Sequence, residues 1–260
     1  MRLTRCFVEL PLSSGATLAL PAAPSAHVAR VLRLRAGAML TLFDGHGGEF
    51  QAEIRSVSAE TVSVQVGAHA ALEREAPIAV TLLQCLARGE RMDWIVQKAT
   101  ELGVTEIVPV HSEHSVVRLD PATAARRRAH WQAVTIGACE QSGRNRVPRV
   151  LPVQAFAEAC TAARAAVCRL LLAPEAERSL AAAALAGPTG AKPAFALLAG
   201  PEGGLSTAES LLALGAGWSA CRLGPRVLRT ETAPLAALAT LQALAGDFAP
   251  GADWRGPARS

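Results

Sequence analysis

The chain has 260 residues, half of them hydrophobic and 18% charged, with a formal net charge of +4. So apolar a composition excludes a disordered chain, and the length admits one large domain or two modest ones. No apolar run is long enough to cross a bilayer, and the weakly basic balance fits a nucleic-acid partner or an ordinary basic enzyme equally well.

The six cysteines, at positions 6, 85, 139, 160, 168 and 221, include no Cys-x-x-Cys pair. They read as small buried hydrophobes in a reducing compartment. Glu9, Pro11, Ser13 and Ser14 interrupt any signal-peptide core, so the cytosol is the expected location.

Residues 1–72 read as β-rich. Residues 50–57 alternate imperfectly, whereas residues 61–66 alternate strictly, as a half-buried strand does. Asp44-Gly45 and Gly47-Gly48 supply turn chemistry ahead of Phe50. One helix is expected between Ser25 and Arg33, and the whole predicts a small barrel or sandwich.

Charged residues 73–77 read as a linker, after which the periodicity changes. Residues 78–83 form an apolar run of strand length. Met92, Ile95, Val96, Ala99 and Leu102 share one helical face, and Gly103 stands where that helix stops. Residues 106–110 are strand-like, and Asp120-Pro121 opens a long helix. Strand-like runs recur at 168–172, 194–199 and 218–223 with helical stretches between them, the pattern of a mostly parallel α/β sheet. The last helix starts near Thr232, carries Pro234 in its first turn and buries Leu235, Leu238 and Leu241.

Two loops carry chemistry. The strand at 194–199 runs into Gly200-Pro201-Glu202-Gly203-Gly204, followed by the capping-box pattern Ser206-Thr207-Ala208-Glu209. A strand, a glycine loop and a capped helix hold a ligand at the carboxyl edge of a sheet, where a backbone without side chains approaches it closely. The Lys and Ser/Thr of a phosphate loop are missing and Glu202 would repel phosphate. A neutral or cationic ligand such as S-adenosylmethionine (SAM) suits the loop better, although a tight structural turn also accounts for it. The segment from Leu223 to Ala233 follows another strand and places Arg226, Arg229, Thr230, Glu231 and Thr232 within seven residues. If both loops face one pocket, their backbones would hold adenosine and Arg229, Thr230 and Glu231 would face the reaction.

Together these two segments resemble the signature of the RsmE family, SPOUT-class methyltransferases that act on N3 of a uridine in 16S ribosomal RNA. The likeness extends to the block at 91–104, to Ser115-Val116-Val117-Arg118 and to Glu140-Gln141-Ser142-Gly143-Arg144. At the N-terminus, Arg5, Phe7 and residues 27–33 resemble the family's small PUA-like RNA-binding domain. Cys6 departs from the family's usual bulky residue, and His114 stands where many relatives have Arg, which removes a fixed positive charge.

The resemblance implies a PUA-like β-barrel over 1–72, a SPOUT methyltransferase domain over 73–250 and a tail at 251–260. Its fold would be a parallel α/β sheet with helices on both faces and a trefoil knot, working as a homodimer without metal or membrane. SAM would be the cofactor and the 16S RNA of the small ribosomal subunit the partner. Leu172, Gly200, Glu202, Gly203, Leu223, Gly224, Leu228 and Ala233 would line the cofactor pocket. Arg229 would stabilise charge on a uracil oxygen; Glu231 would serve as base, orient Arg229, or merely brace the loop with it. Arg5, Arg30, Arg33, Arg144 and Arg146 would contact RNA. The run Arg126–Arg128 fits a solvated helix face equally well. Competing readings are a knotted methyltransferase acting on a ribose 2′-hydroxyl or another RNA position, and a non-catalytic RNA-binding assembly factor.

Overall fold

The computed structural model describes residues 4–58, 61–163, 166, 168–187 and 193–250; the tail at 251–260 lies outside them. The chain forms two compact units, Met1–Glu75 with Cys139–Val147, and Ala76–Ala138 with Pro148–Ser260. The smaller unit thus runs past residue 72 and takes in a second, distant segment.

The small unit contains strands β1 (Arg5–Phe7), β2 (Thr17–Ala19), β3 (Met39–Phe43), β4 (Glu49–Val57) and β5 (Val62–Ala70), and the short helix α1 (Ala22–Ala26). They form one sheet in the order β1-β3-β4-β5-β2, antiparallel except for β1 beside β3. Val62, Val64 and Val66 of β5 are buried and the residues between them are not, as strict alternation demands. Burial in β4 alternates from Glu49 to Ile54 and lapses over Arg55–Val57, where the register against β5 slips between Ile54 and Ser56. The expected helix is a single turn and a half followed by a π-helical turn, His27–Val31, that buries Val28 in the core. Buried Ser25 fastens it to the sheet, donating to Leu20 O at 2.8 Å and accepting from Val62 N at 3.1 Å.

The large unit contains β6 (Ala79–Cys85), α2 (Arg91–Glu101), β7 (Glu106–His111), α3 (Pro121–Ser142), β8 (Arg149–Val150), β9 (Gln154–Ala155), α4 (Phe156–Ala162), β10 (Cys168–Leu172), α5 (Leu180–Leu185), β11 (Ala194–Ala199), α6 (Thr207–Gly215), β12 (Ser219–Cys221) and α7 (Thr232–Ala245). The last turn of α3 belongs to the small unit. The sheet order is β12-β10-β11-β6-β7-β8, with β9 also on β7, and every pairing is parallel.

Adjacent leucines build both faces of this sheet. Leu82, Leu197 and Leu170 stand in register and pack into a core with Met92 and Ile95 of α2, Leu180 of α5 and Leu238 and Leu241 of α7. Their neighbours Leu83, Leu198 and Leu171 point the other way, into a core with Phe156 of α4 and Ala213 of α6. Strands buried on both faces read as continuous apolar runs, which is why these three lack alternation. Gly103 ends α2 as expected, with φ +83°. Beyond it, the buried amide of Gln242 in α7 donates to Leu102 O at 2.9 Å and satisfies one of the carbonyls left at the helix end.

Candidate active site

Strands β12, β10 and β11 are neighbours, so the loops leaving their carboxyl ends converge. Those loops, at 173–175, 200–205 and 223–231, line a cavity of about 830 Å³ together with Arg91 of α2 and Ala233 of α7. A cavity outside the carboxyl ends of parallel strands is where such sheets bind ligands, and this one has the volume for a small molecule of nucleoside size. Leu172, Gly200, Glu202, Gly203, Leu223, Leu228 and Ala233 are on its wall, and so are Arg229 and Glu231. Gly224 lies in the same loop, at φ +82°, without lining the cavity.

The glycine loop is braced from both sides. Ser206 and Glu209 form the capping box of α6, with Glu209 N donating to Ser206 Oγ at 3.2 Å and Ser206 N to Glu209 Oε2 at 3.1 Å. The other oxygen of Glu209 accepts Glu113 N at 2.8 Å. A Cβ on Gly203 would meet His114 Cβ at 3.1 Å, so the missing side chain makes room for the 112–115 turn beside the cavity. His114 Nδ1 stands 3.2 Å from Gly203 O, which makes this departure from the family pattern a contact of the loop. Gly204, at φ +69°, is required by backbone conformation alone.

Thr230 is buried, donates to Gly200 O at 2.8 Å and lies 3.5 Å from the amide nitrogen of Gln84, which itself donates to Cys85 O. Gln84, fully buried on β6, thus stands beneath both loops; its carbonyl oxygen has no partner among the described residues. The sequence reading missed it because a single glutamine in an apolar strand carries no local signal.

Glu202 does not confront the cavity as a bare carboxylate. It accepts Arg88 N at 2.9 Å and an Arg91 N–H at 2.6 Å. Burial would raise its carboxyl; the two backbone N–H groups that reach it and the Arg91 guanidinium outweigh that and hold it below the ordinary range. Glu231 also faces Arg91, with 3.6 Å between Oε2 and Nε, rather than Arg229. Arg229 is exposed, and among the described residues its guanidinium has no carboxylate or hydrogen-bond partner.

The arginines expected on RNA divide into two groups. Arg5 and Arg144 are only 7% and 4% exposed. Arg5 pairs with Glu49 and donates to Arg144 O and the Asn145 side chain, while Arg144 pairs through two nitrogens with Glu75. Arg74 donates to Glu49 and Gly143 O, and Arg146, half-exposed, pairs with Glu73 at 3.0 Å. The segment read as a linker is therefore tied by ion pairs to residues 143–146 within the small unit, and Arg5 and Arg144 are internal braces rather than an RNA-facing surface. Arg30 and Arg33 are exposed, Arg33 in the left-handed region at φ 52°. Phe7 packs on Phe43 with ring centres 5.5 Å apart. Arg126, Arg127 and Arg128 lie exposed along α3.

Among the described residues, no helix is long and apolar enough to cross a membrane, and no group of three or more His, Cys, Asp or Glu is placed to hold a metal.

Residues 74–242 match the RNA methyltransferase domain family and residues 25–67 the RNA methyltransferase PUA domain, so the chain is built as an RNA methyltransferase. It is 33% identical to the ribosomal RNA small subunit methyltransferase E of Bacillus subtilis, covering 91% of this chain and 95% of that protein. Among solved structures, ribosomal RNA small subunit methyltransferase E from Neisseria gonorrhoeae bound to S-adenosyl methionine is 40% identical, with a TM-score of 0.88 over 95% of this chain and all of that one. A methyltransferase from Legionella pneumophila in complex with the bound cofactor SAM is 37% identical, with a TM-score of 0.90 over the same shares. The chain belongs to the ribosomal RNA small subunit methyltransferase E family.

Proposed function

We propose that this protein transfers the methyl group of SAM to the 16S RNA of the small ribosomal subunit, at N3 of a uridine. The observation that carries the reading is the cavity at the carboxyl edge of β10, β11 and β12, in a chain that matches a SAM-bound small-subunit RNA methyltransferase over nearly its whole length. The residues present fit the cofactor. Leu172, Leu223, Leu228 and Ala233 offer apolar contact for an adenine, and the 200–204 backbone offers polar groups close to it.

SAM supplies an electrophilic sulfonium methyl. N3 lies on the pairing edge of uracil, so the base must be unpaired or extruded before it reaches the cavity. Arg229, with its guanidinium unengaged, stabilises the negative charge that develops on a uracil oxygen as N3 loses its proton. Glu231 is directed to Arg91 and is read as the proton acceptor rather than as an orienter of Arg229. Orientation supplies the rest of the rate: the loops must hold N3 in line with the methyl carbon. Arg30 and Arg33, exposed on the small unit, are read as phosphate contacts.

The finer features implied by the family belong to the same proposal: a SPOUT-type sheet with a C-terminal trefoil knot, a homodimer, and a cytosolic setting. Six buried, unbridged cysteines support the last of these, and the exposed Leu211, Leu212 and Leu214 of α6 offer apolar surface for a second copy.

The test is transfer of a labelled methyl group to small subunits that lack the modification, followed by nucleoside analysis. 3-Methyluridine is the expected product. A ribose-methylated nucleoside would replace the N3 assignment, and cofactor binding with no transfer to any ribosomal RNA would leave the assembly-factor reading.

A further inference from the structure

We infer that Arg91 is a positioning residue for methyl transfer, one guanidinium that ties the cofactor loop to the reaction loop across the cavity. The inference rests on the proposed function and adds to it a residue that neither loop contains. Arg91 is the first residue of α2 and lines the cavity. One terminal N–H meets Glu202 Oε1 at 2.6 Å, in the loop after β11. Its Nε faces Glu231 Oε2 at 3.6 Å, at the N-cap of α7. Two different edges of one planar group therefore face two carboxylates on two separate loops, one through a hydrogen bond and one at ion-pair distance. A third tie strengthens the anchor, since Glu202 also accepts Arg88 N at 2.9 Å from the turn that leads into α2.

Chemistry makes this arrangement specific to arginine. A guanidinium has donors in fixed directions, whereas a lysine ammonium is a point charge that cannot hold both carboxylates in the same geometry. The three groups carry a formal −1 in sum, so Arg91 holds Glu202 in place without neutralising both carboxylates. The competing view is a surface ion pair of no consequence, as many half-exposed pairs are. At 40% side-chain exposure for Arg91, and 25% and 21% for Glu202 and Glu231, exposure alone does not decide between them. Spanning two loops that border one cavity favours the positioning role.

The experiment compares wild type, Arg91→Lys, Arg91→Ala, Glu202→Gln and the double variant Arg91→Lys/Glu202→Gln. Melting temperature, SAM affinity by calorimetry, and kcat and KM for transfer to small subunits are measured for each. Misplacement of reacting groups predicts a fall in kcat of roughly tenfold or more for Arg91→Lys at unchanged KM for the subunit and a wild-type melting temperature. The double variant should be no worse than the poorer single variant, because both break one network. Wild-type kcat and SAM affinity in Arg91→Lys would overturn the inference, as would losses that multiply in the double variant. If Arg91→Ala fails to fold, the lysine variant and Glu202→Gln still decide. A wild-type protein that methylates nothing strikes the proposed function instead, and SAM affinity in Arg91→Lys then tests the tie on its own: a loss supports it and an unchanged value overturns it.

Discussion

The hydroxyl of Thr230 donates to the carbonyl of Gly200 across 2.8 Å, joining the loop after β12 to the loop after β11. The same oxygen stands within reach of the Gln84 amide beneath it. Thr230→Val keeps the shape and deletes the bond, leaving a part-buried carbonyl without this donor at a cost of about 1 kcal/mol. SAM affinity should fall severalfold, since about 1.4 kcal/mol is a factor of ten. Thr230→Ser should restore most of it. Calorimetric titration of the two variants checks this, and equal affinities would show that the loops do not depend on the contact.

Arg229 makes the opposite kind of prediction, because it braces nothing. Arg229→Ala should lower kcat by roughly 10²–10³, the usual cost of losing one donor to a developing oxyanion. Its melting temperature and SAM affinity should match wild type. Single-turnover transfer measured beside cofactor titration separates the two effects; a matched drop in cofactor affinity would move Arg229 from the reaction to the cofactor.

In the small unit, Arg144→Ala would leave Glu75 facing an empty place in a mostly buried pair, with side-chain exposures of 5% and 16%. Breaking such a pair from one side destabilises by about 3–5 kcal/mol. Arg146→Ala removes a half-exposed partner of Glu73 and should cost less than about 1 kcal/mol. Urea unfolding of the two variants should therefore differ widely, although both lose one arginine and one ion pair.

The same network sets an acid limit. Burial would raise the carboxyl of Glu49, but hydrogen bonds and charge from Arg5 and Arg74 outweigh burial and hold it below its ordinary value of 4.5. A carboxyl depressed on folding contributes stability that is complete above the unfolded value and is lost as pH falls through the folded one. The contribution of this group should be constant from neutral pH down to about 5 and decline below that. Melting curves of wild type and Glu49→Gln across pH 3–8 test it; the two should converge at the acid end.

All six cysteines are buried, and burial pushes the thiols of Cys6, Cys85, Cys139, Cys160 and Cys221 up to about 12. Thiolate, the reactive form, is then scarce at neutral pH. A thiol reagent at pH 7.5 should label none of them in the native protein and all six after denaturation. Rapid labelling of any one would mark a segment that opens locally.

What the sequence revealed depended on the range of the interaction behind each signal. Strict alternation marked β5, Gly103 marked the end of α2, and Ser206 with Glu209 marked the start of α6, because each is settled by neighbours a few residues away. The two polar loops were legible as a site because each follows an apolar strand, and their shared cavity follows from strand order. Arg144 was misplaced for the converse reason. Its partner Glu75 is 69 residues distant, and an arginine in a polar stretch looks the same whether it meets phosphate or a buried carboxylate. Residues 73–77 read as a linker on the same ground, since charge alone does not show what answers it. Arg91 stood inside the matched block at 91–104, yet its link to Glu202 and Glu231 appears only once three elements meet.

The interrupted small unit bears on how the chain matures. When Glu75 has been synthesised, Arg5 lacks the Arg144 carbonyl and the Asn145 side chain, Phe7 N lacks Glu140, and Leu72 O lacks Asn145. These partners arrive only with residues 140–145, after two strands, a first helix and most of the long helix α3 have been made. A fragment ending at Glu75 would carry buried polar groups with nothing to meet them. The two units are thus interleaved in time as well as in sequence, and neither can be exchanged for a homologous module by a single cut in the gene.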